Sequence, residues 1–339
     1  MTFIISAIKI IFLLGFLILI HEAGHLIVAK LCKVKVNEFA IGFGPTIWKK
    51  QGKETKYAIR LIPLGGFCSM EGEEERSEND GSFSKASIPK RIAIVAAGAT
   101  VNIVFGLLVY FILMSTSNTY VTNEVNTVID GYIAQEIGIQ QNDKIIELDG
   151  KKIKSKYDLN KVMKKSNGDN INLKIERNGE TLEYNIKPTE VKTKSGSSYY
   201  LGVNLKQAES KFINYIIYGG IETKEFAFSI IDNIKMIFTG GVSVDQMMGP
   251  VGISEVVAKT NGFREFVYML ALISLSLGVT NLLPIPALDG GKILILIIEA
   301  IRRKPLNEKT EINIQLIGFS ILIALSLYIT YNDILRIFW

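Results

Sequence analysis

Histidine and cysteine are both scarce in this chain, with two of each among 339 residues. Two cysteines exclude a disulfide scaffold, and Cys32 and Cys68 do not combine with the histidines into a zinc-finger spacing. Excess charge is also missing. The formal net charge is +5 and the lysines are scattered, which leaves nucleic-acid binding without an electrostatic footing. The first apolar run has no small-residue cleavage site before the next charged stretch, so it is read as a retained segment and not as a signal peptide.

Apolar residues are abundant. A hydrophobic share of 48% and a mean hydropathy of +0.27 exceed what an ordinary soluble protein carries. Four stretches reach the about 20 residues that a bilayer span requires. They are Phe3 to Ala29, Ile92 to Ser115, a run from near Phe266 that stays uncharged until Asp289, and Ile312 to Tyr331. The sequence therefore predicts a multi-pass α-helical membrane protein with a soluble insert.

Both histidines lie in the first span, as His21-Glu22-Ala23-Gly24-His25. Residues four apart share a helix face, so two imidazoles at this spacing can grip one metal ion, with Glu22 beside it to act on a bound water. The alternative is a pair of polar histidines at the membrane interface with Glu22 reaching for water. Against it stands the cost of an acidic group inside a span, about 2.5–3.5 kcal/mol for Asp at the helix centre on insertion scales. Catalytic zinc takes three protein ligands and a water. No third histidine exists and both cysteines lie outside the spans, so the third ligand should be a carboxylate in another apolar segment.

The third span supplies one. Asn281-Leu282-Leu283-Pro284-Ile285-Pro286-Ala287-Leu288-Asp289-Gly290-Gly291 puts two prolines and two glycines into an apolar run. The helix must break there, and irregular backbone at membrane depth is tolerated only inside protein or beside a water-filled cavity. Asp289 is read as the third ligand; its alternative role is to cap a following helix, Lys292 to Ile301. In the second span Asn102 follows the small residues Ala97-Gly98-Ala99, and it either holds helices together or lines the site.

Between the first two spans, Tyr57, Ile59 and Leu61 alternate as in a strand, and Pro63 with Gly65-Gly66 suggests a turn or an edge. Composition favours a small surface sheet here; the other reading is a hairpin that offers an edge to an extended peptide. From about Thr119 to Lys206 the chain reads as a small domain of strands and a helix. Leu148-Asp149-Gly150-Lys151 makes a tight turn and Asn178-Gly179 a hairpin turn. Phe226 to Phe238 is apolar but broken by Asp232 and Lys235, and is read as an amphipathic helix at the membrane surface. Gly249-Pro250-Val251-Gly252-Ile253 reads as a rigid turn to which the sequence gives no purpose.

The expected order is 1–118 for the first membrane portion, 119–206 for the soluble domain, 207–264 for the surface region and 265–339 for the second membrane portion. Lys30, Lys33, Lys35, Lys90 and Arg91 flank the first long loop, and Arg302, Arg303, Lys304 and Lys309 fill the last short one. The positive-inside rule then makes both loops cytoplasmic and the soluble domain external. Cys32 and Cys68 fall on the reducing side, as free thiols should.

These motifs resemble the site-2 protease family of intramembrane zinc metalloproteases, in particular its regulator-of-sigma-E-protease type with one PDZ domain. The likeness covers nearly the whole chain. It rests on His21 to His25, on Asn281 to Gly290, on Gly98 with Asn102, and on Gly138 to Gly150. It implies Zn²⁺ held by His21, His25 and Asp289, Glu22 as the base, and Asn281 and Asn102 near the site supporting substrate or transition state. It implies that Ile41 to Phe67 is a membrane-associated hairpin that receives an unwound substrate, which reverses the preference from composition. The 119–206 domain would be an extracytoplasmic PDZ domain, a size filter or a docking module for a peptide ligand. One departure is visible: Asn142 stands where such PDZ domains usually have glycine, and asparagine tolerates the left-handed conformation.

The expected function is intramembrane endoproteolysis of single-pass membrane proteins, such as anti-sigma factors or signal-peptide remnants, after a prior external cut. The partners expected are that substrate, membrane lipid and a PDZ peptide ligand, with no nucleic acid. A non-catalytic PDZ scaffold is the first rival, and the intact Glu22 argues against it. A metal transporter is the second; it needs a polar path, and the fourth span offers only Asn313, Gln315 and hydroxyls.

Overall fold

The computed structural model describes residues 2–338 except 74, 76, 117–118, 194–195, 210–211 and 239–247. The chain forms two compact units, Met1–Leu113 with Ala227–Trp339, and Met114–Phe226.

The first unit opens with α1 (Thr2–Leu31), apolar all round as a helix surrounded by lipid and protein must be. Two long strands follow, β1 (Val36–Gln51) and β2 (Lys56–Met70), then α2 (Ile88–Ser115). The strands are bent by bulges, so that one stretch of β1 pairs twice. Phe39 lies opposite both Cys68 and Tyr57, and Ala40 opposite both Phe67 and Ala58. Gly66 to Met70 thereby forms one margin of a small folded sheet, packed along α1. Its inner side chains Phe39, Cys68 and Met70 join Ala29, Phe83, Ile94 and Leu296 in one core. Towards the hairpin tip Phe43, Ile47, Trp48, Leu61 and Ile62 are all exposed. An apolar tip of that size suits a membrane surface better than water.

The second unit holds β3 (Thr119–Val128), α3 (Ile133–Glu136), β4 (Lys144–Leu148), β5 (Lys151–Lys152), α4 (Lys156–Met163), β6 (Ile171–Arg177), β7 (Glu180–Ile186), β8 (Thr189–Thr193), β9 (Gly196–Tyr200) and β10 (Val203–Glu209). The main sheet runs β10-β3-β4-β6-β7, with β5 on β4. Alternating residues Leu173 and Ile175 of β6 meet Ile145, Leu148 and Ile186 in its core. The expected turns are present: Asn178 and Gly179 have φ of 53° and 84°, as a two-residue type I′ hairpin demands. Asn142 has φ 72°, so asparagine does take the left-handed place. Ser155 and Asp158 close α4 with a reciprocal capping box.

Helix α5 (Phe212–Phe238) starts in this unit and is longer than the expected Phe226 to Phe238. It carries exposed Ile217, Ile221, Phe228 and Ile231. Returning to the first unit, the chain forms α6 (Pro250–Ala258), α7 (Phe263–Asn281), α8 (Asp289–Arg302) and α9 (Glu308–Phe338). Among the described residues four helices are long and apolar enough to cross a membrane, namely α1, α2, α7 and α9. The chain is a multi-pass membrane protein.

The Gly249 to Ile253 stretch acquires a purpose here. Pro250 starts α6, and the Gly252 N–H donates to the Asp333 carboxylate of α9 at 2.7 Å. Asp333 is 1% exposed, and Arg336 lies 3.0 Å away. A carboxylate at a helix N-terminus is favoured by the unpaired N–H groups there. Arg91 of α2 pairs with the buried Glu299 of α8 at 3.0 Å, and the Glu299 carboxylate also accepts from the Leu306 N–H at 2.8 Å.

Candidate metal centre

Helix geometry places His21 and His25 one turn apart, and the structure brings their Nε2 atoms to 3.2 Å. The His25 Nδ1 donates to the Ile94 carbonyl at 2.9 Å. A carbonyl can only accept, so the proton is on Nδ1 and the lone pair of Nε2 faces inward, as a metal ligand requires. α2 comes this close because it carries Gly98: a Cβ there would run into both imidazoles.

Asp289 arrives from the break between α7 and α8. Leu282 to Leu288 wraps the first turn of α8 so closely that Gly290 and Gly291 have no room for a side chain against the Leu283 and Ile285 carbonyls. The Asp289 Oδ2 ends 3.3 Å from the Nε2 of His21 and 3.7 Å from that of His25. It is buried without a hydrogen bond, as is the His21 Nδ1. Three donor atoms with lone pairs converging this way would repel one another without a cation. Metal bonds of 2.0–2.1 Å in a tetrahedral site put ligand atoms about 3.3 Å apart. The residues fit a zinc ion.

Glu22 shares the cavity of about 370 Å³ with these three groups. Its opposite wall is the sheet margin Phe67 to Met70, with Val95, Glu73 and Lys292 completing the lining. A second cavity, of about 710 Å³, opens on the other side of Asp289, between Ala287–Leu288 and α9.

Two candidates do not line the cavity that His21, Glu22, His25 and Asp289 share. Asn102 is fully buried one turn beyond Gly98, its carbonyl accepting from the Ser274 hydroxyl at 2.8 Å and its side-chain amide without a hydrogen bond. Asn281 ends α7 and lines neither cavity. Conversely, sequence reasoning passed over Lys292 and Glu73. Lys292 was within reach, since it stands three residues after Asp289 and so on the same face of α8.

Two imidazoles and a glutamate from the membrane-crossing helix α1, met by a carboxylate at the start of α8, make the donor set that metal-dependent hydrolases use. The model of peptidase family M50 matches residues 9–325, and the chain belongs to that family. A protein of Clostridium acetobutylicum named as a zinc metalloprotease is 35% identical over 94% of each chain. One of Fusobacterium nucleatum, named in the same way, is 34% identical over 100% of each. The regulator of sigma-W protease RasP of Bacillus subtilis is 28% identical over 99% of this chain and 100% of its own.

Proposed function

We propose that this chain is an intramembrane zinc endopeptidase that cuts single-pass membrane proteins, anti-sigma factors or signal-peptide remnants after an earlier external cut. One observation carries the reading: His21, His25, Asp289 and Glu22 line one cavity faced by a sheet margin. His21, His25 and Asp289 would hold the zinc, which when bound would supply Lewis acidity to the reaction. Glu22 accepts the proton of the attacking water and hands it to the leaving amide nitrogen. The Phe67 to Met70 margin binds the substrate as an added strand, which keeps it extended and its scissile carbonyl within reach. A helical substrate must unwind for this, because its amides are otherwise engaged.

The positive-inside rule supports a cytoplasmic position for the hairpin and for the loop between α8 and α9. The 119–206 domain is then an extracytoplasmic PDZ domain. Its sheet-and-helix composition and the left-handed Asn142 before Asp143 support that reading. It docks a peptide or screens substrates by the size of their external part.

The test is cleavage of a model single-pass substrate in membranes by the parent and by Glu22→Gln, with zinc content measured in both. Retained zinc with cleavage lost by at least about 10²-fold is expected. Equal cleavage by the two proteins overturns the role of Glu22.

A further inference from the structure

We propose that Gln315 of α9 is a positioning residue for the metal site, holding the Ala287 peptide in the left-handed turn from which Asp289 is aimed. This rests on the reading that His21, His25 and Asp289 bind zinc.

Ile285 to Leu288 is a tight turn closed by the Leu288 N–H on the Ile285 carbonyl at 3.1 Å. Pro286 occupies its second position and Ala287 its third, with φ 74°. A turn of this type asks for glycine at the third position, since a Cβ is crowded at positive φ. Alanine must therefore be held there from outside. The Ala287 N–H donates to the Gln315 side-chain oxygen at 2.6 Å. One turn along the same face of α9 stands Gly318, where a Cβ would come 2.6 Å from the Pro286 carbonyl oxygen. Gln315 and Gly318 together form a notch that receives Pro286-Ala287.

The consequence reaches the metal ligand through two peptides. The Leu288 carbonyl accepts from the Gly291 and Lys292 N–H groups at 3.0 and 3.3 Å, which starts α8. Asp289 is the first residue of that helix. If the Ala287 peptide rotates, the first turn of α8 and the Asp289 carboxylate turn with it, away from the two imidazoles. Neighbouring side chains of α9 do not provide the same restraint: Leu316, Ile317 and Phe319 are 57%, 62% and 55% exposed. The notch is a discrete contact on this stretch of α9, whose neighbouring side chains face outward.

The experiment measures zinc release to a competing chelator from the purified full-length protein in detergent. Gln315→Met, which keeps the length and loses the acceptor, should bind zinc roughly 10- to 100-fold more weakly, the usual effect of losing a group that orients a ligand. Gln315→Glu, which keeps an acceptor oxygen, should restore most of the affinity. Adding Ala287→Gly to Gln315→Met should restore part of it, because glycine adopts positive φ without a steric penalty. Ile317→Ala should bind zinc as the parent does, and the thermal midpoint of the metal-free Gln315→Met protein should equal the parent's. Where Gln315→Met does not fold, Gln315→Asn, one methylene too short to reach, takes its place. Parental zinc affinity in the variant lacking the acceptor overturns the proposal, as does an equal loss in Ile317→Ala. A parent that binds no zinc overturns the metal-site reading itself, and this inference with it.

Discussion

The Lys292 ammonium lies 2.8 Å from the Glu73 carboxylate and joins the first turn of α8 to the segment that follows β2. Both groups line the cavity of His21, Glu22, His25 and Asp289, and the ammonium also sits 5.1 Å from the centre of the Phe83 ring. The pair bridges the metal-ligand helix to the proposed substrate-binding margin. It is 22% exposed on each side. A half-buried pair at a cavity open to water contributes little beyond the about 0.2–1 kcal/mol of exposed pairs. Lys292→Met and Glu73→Gln should each leave the thermal midpoint almost unchanged while altering cleavage. The double variant should be no worse than either single one, and a double-mutant cycle on cleavage rate reads the coupling.

Gly98 is where the second span admits the imidazoles. Gly98→Ala would force a methyl group into His21 and His25. Overpacking of this kind costs about 1–3 kcal/mol. Zinc content should fall along with the thermal midpoint, whereas Gly220→Ala, where an added methyl meets nothing, should leave zinc content unchanged.

The Arg91–Glu299 pair is buried, with side-chain exposures of 14% and 3%. Removing one partner strands a charge, which typically costs about 3–5 kcal/mol. Arg91→Ala should therefore destabilise far more than Lys292→Met does. Thermal unfolding in detergent, with the two variants side by side, checks the order.

Acid sensitivity of the 114–226 unit should trace to Asp143. Burial by itself would raise its carboxyl. The Arg177 hydrogen bonds at 2.7 and 2.6 Å, with the Gln140 amide, outweigh burial and hold it below its ordinary value. A folded-state pKa below the unfolded value of about 3.9 gives stabilisation that is present above that pH. It is lost as the pH falls through the lower, folded value. Hydrogen exchange of the β6 amides in the full-length protein should speed up over that acid range. In Asp143→Asn the same amides should exchange faster at neutral pH and depend less on acid.

The spans, the break before Asp289 and the two hairpin turns were all legible in the sequence. Each follows from local chemistry: apolar runs long enough for a bilayer, prolines and glycines that no helix interior accepts, and Asn-Gly where two left-handed residues are required. The hairpin between β1 and β2 was less legible. Its strands double back and pair twice through bulges, and alternation over a few residues says nothing of such a register. The length of α5 escaped as well, because Gly219-Gly220 and the charges within it disguise one continuous helix.

For the candidate site, the sequence by itself determined that two imidazoles and Glu22 would sit together, since four-residue spacing on a helix leaves no other outcome. It also determined that a carboxylate had to come from elsewhere. Only the tertiary structure decided that Asp289 reaches them, that Asn102 and Asn281 lie off the cavity these groups share, that Lys292 and Glu73 line it, and that Gln315 accepts from the Ala287 N–H ahead of Asp289. Those relations join residues far apart in the chain. They are set by how closely helices approach at Gly98 and Gly318 and by where a broken helix restarts, which no local pattern encodes.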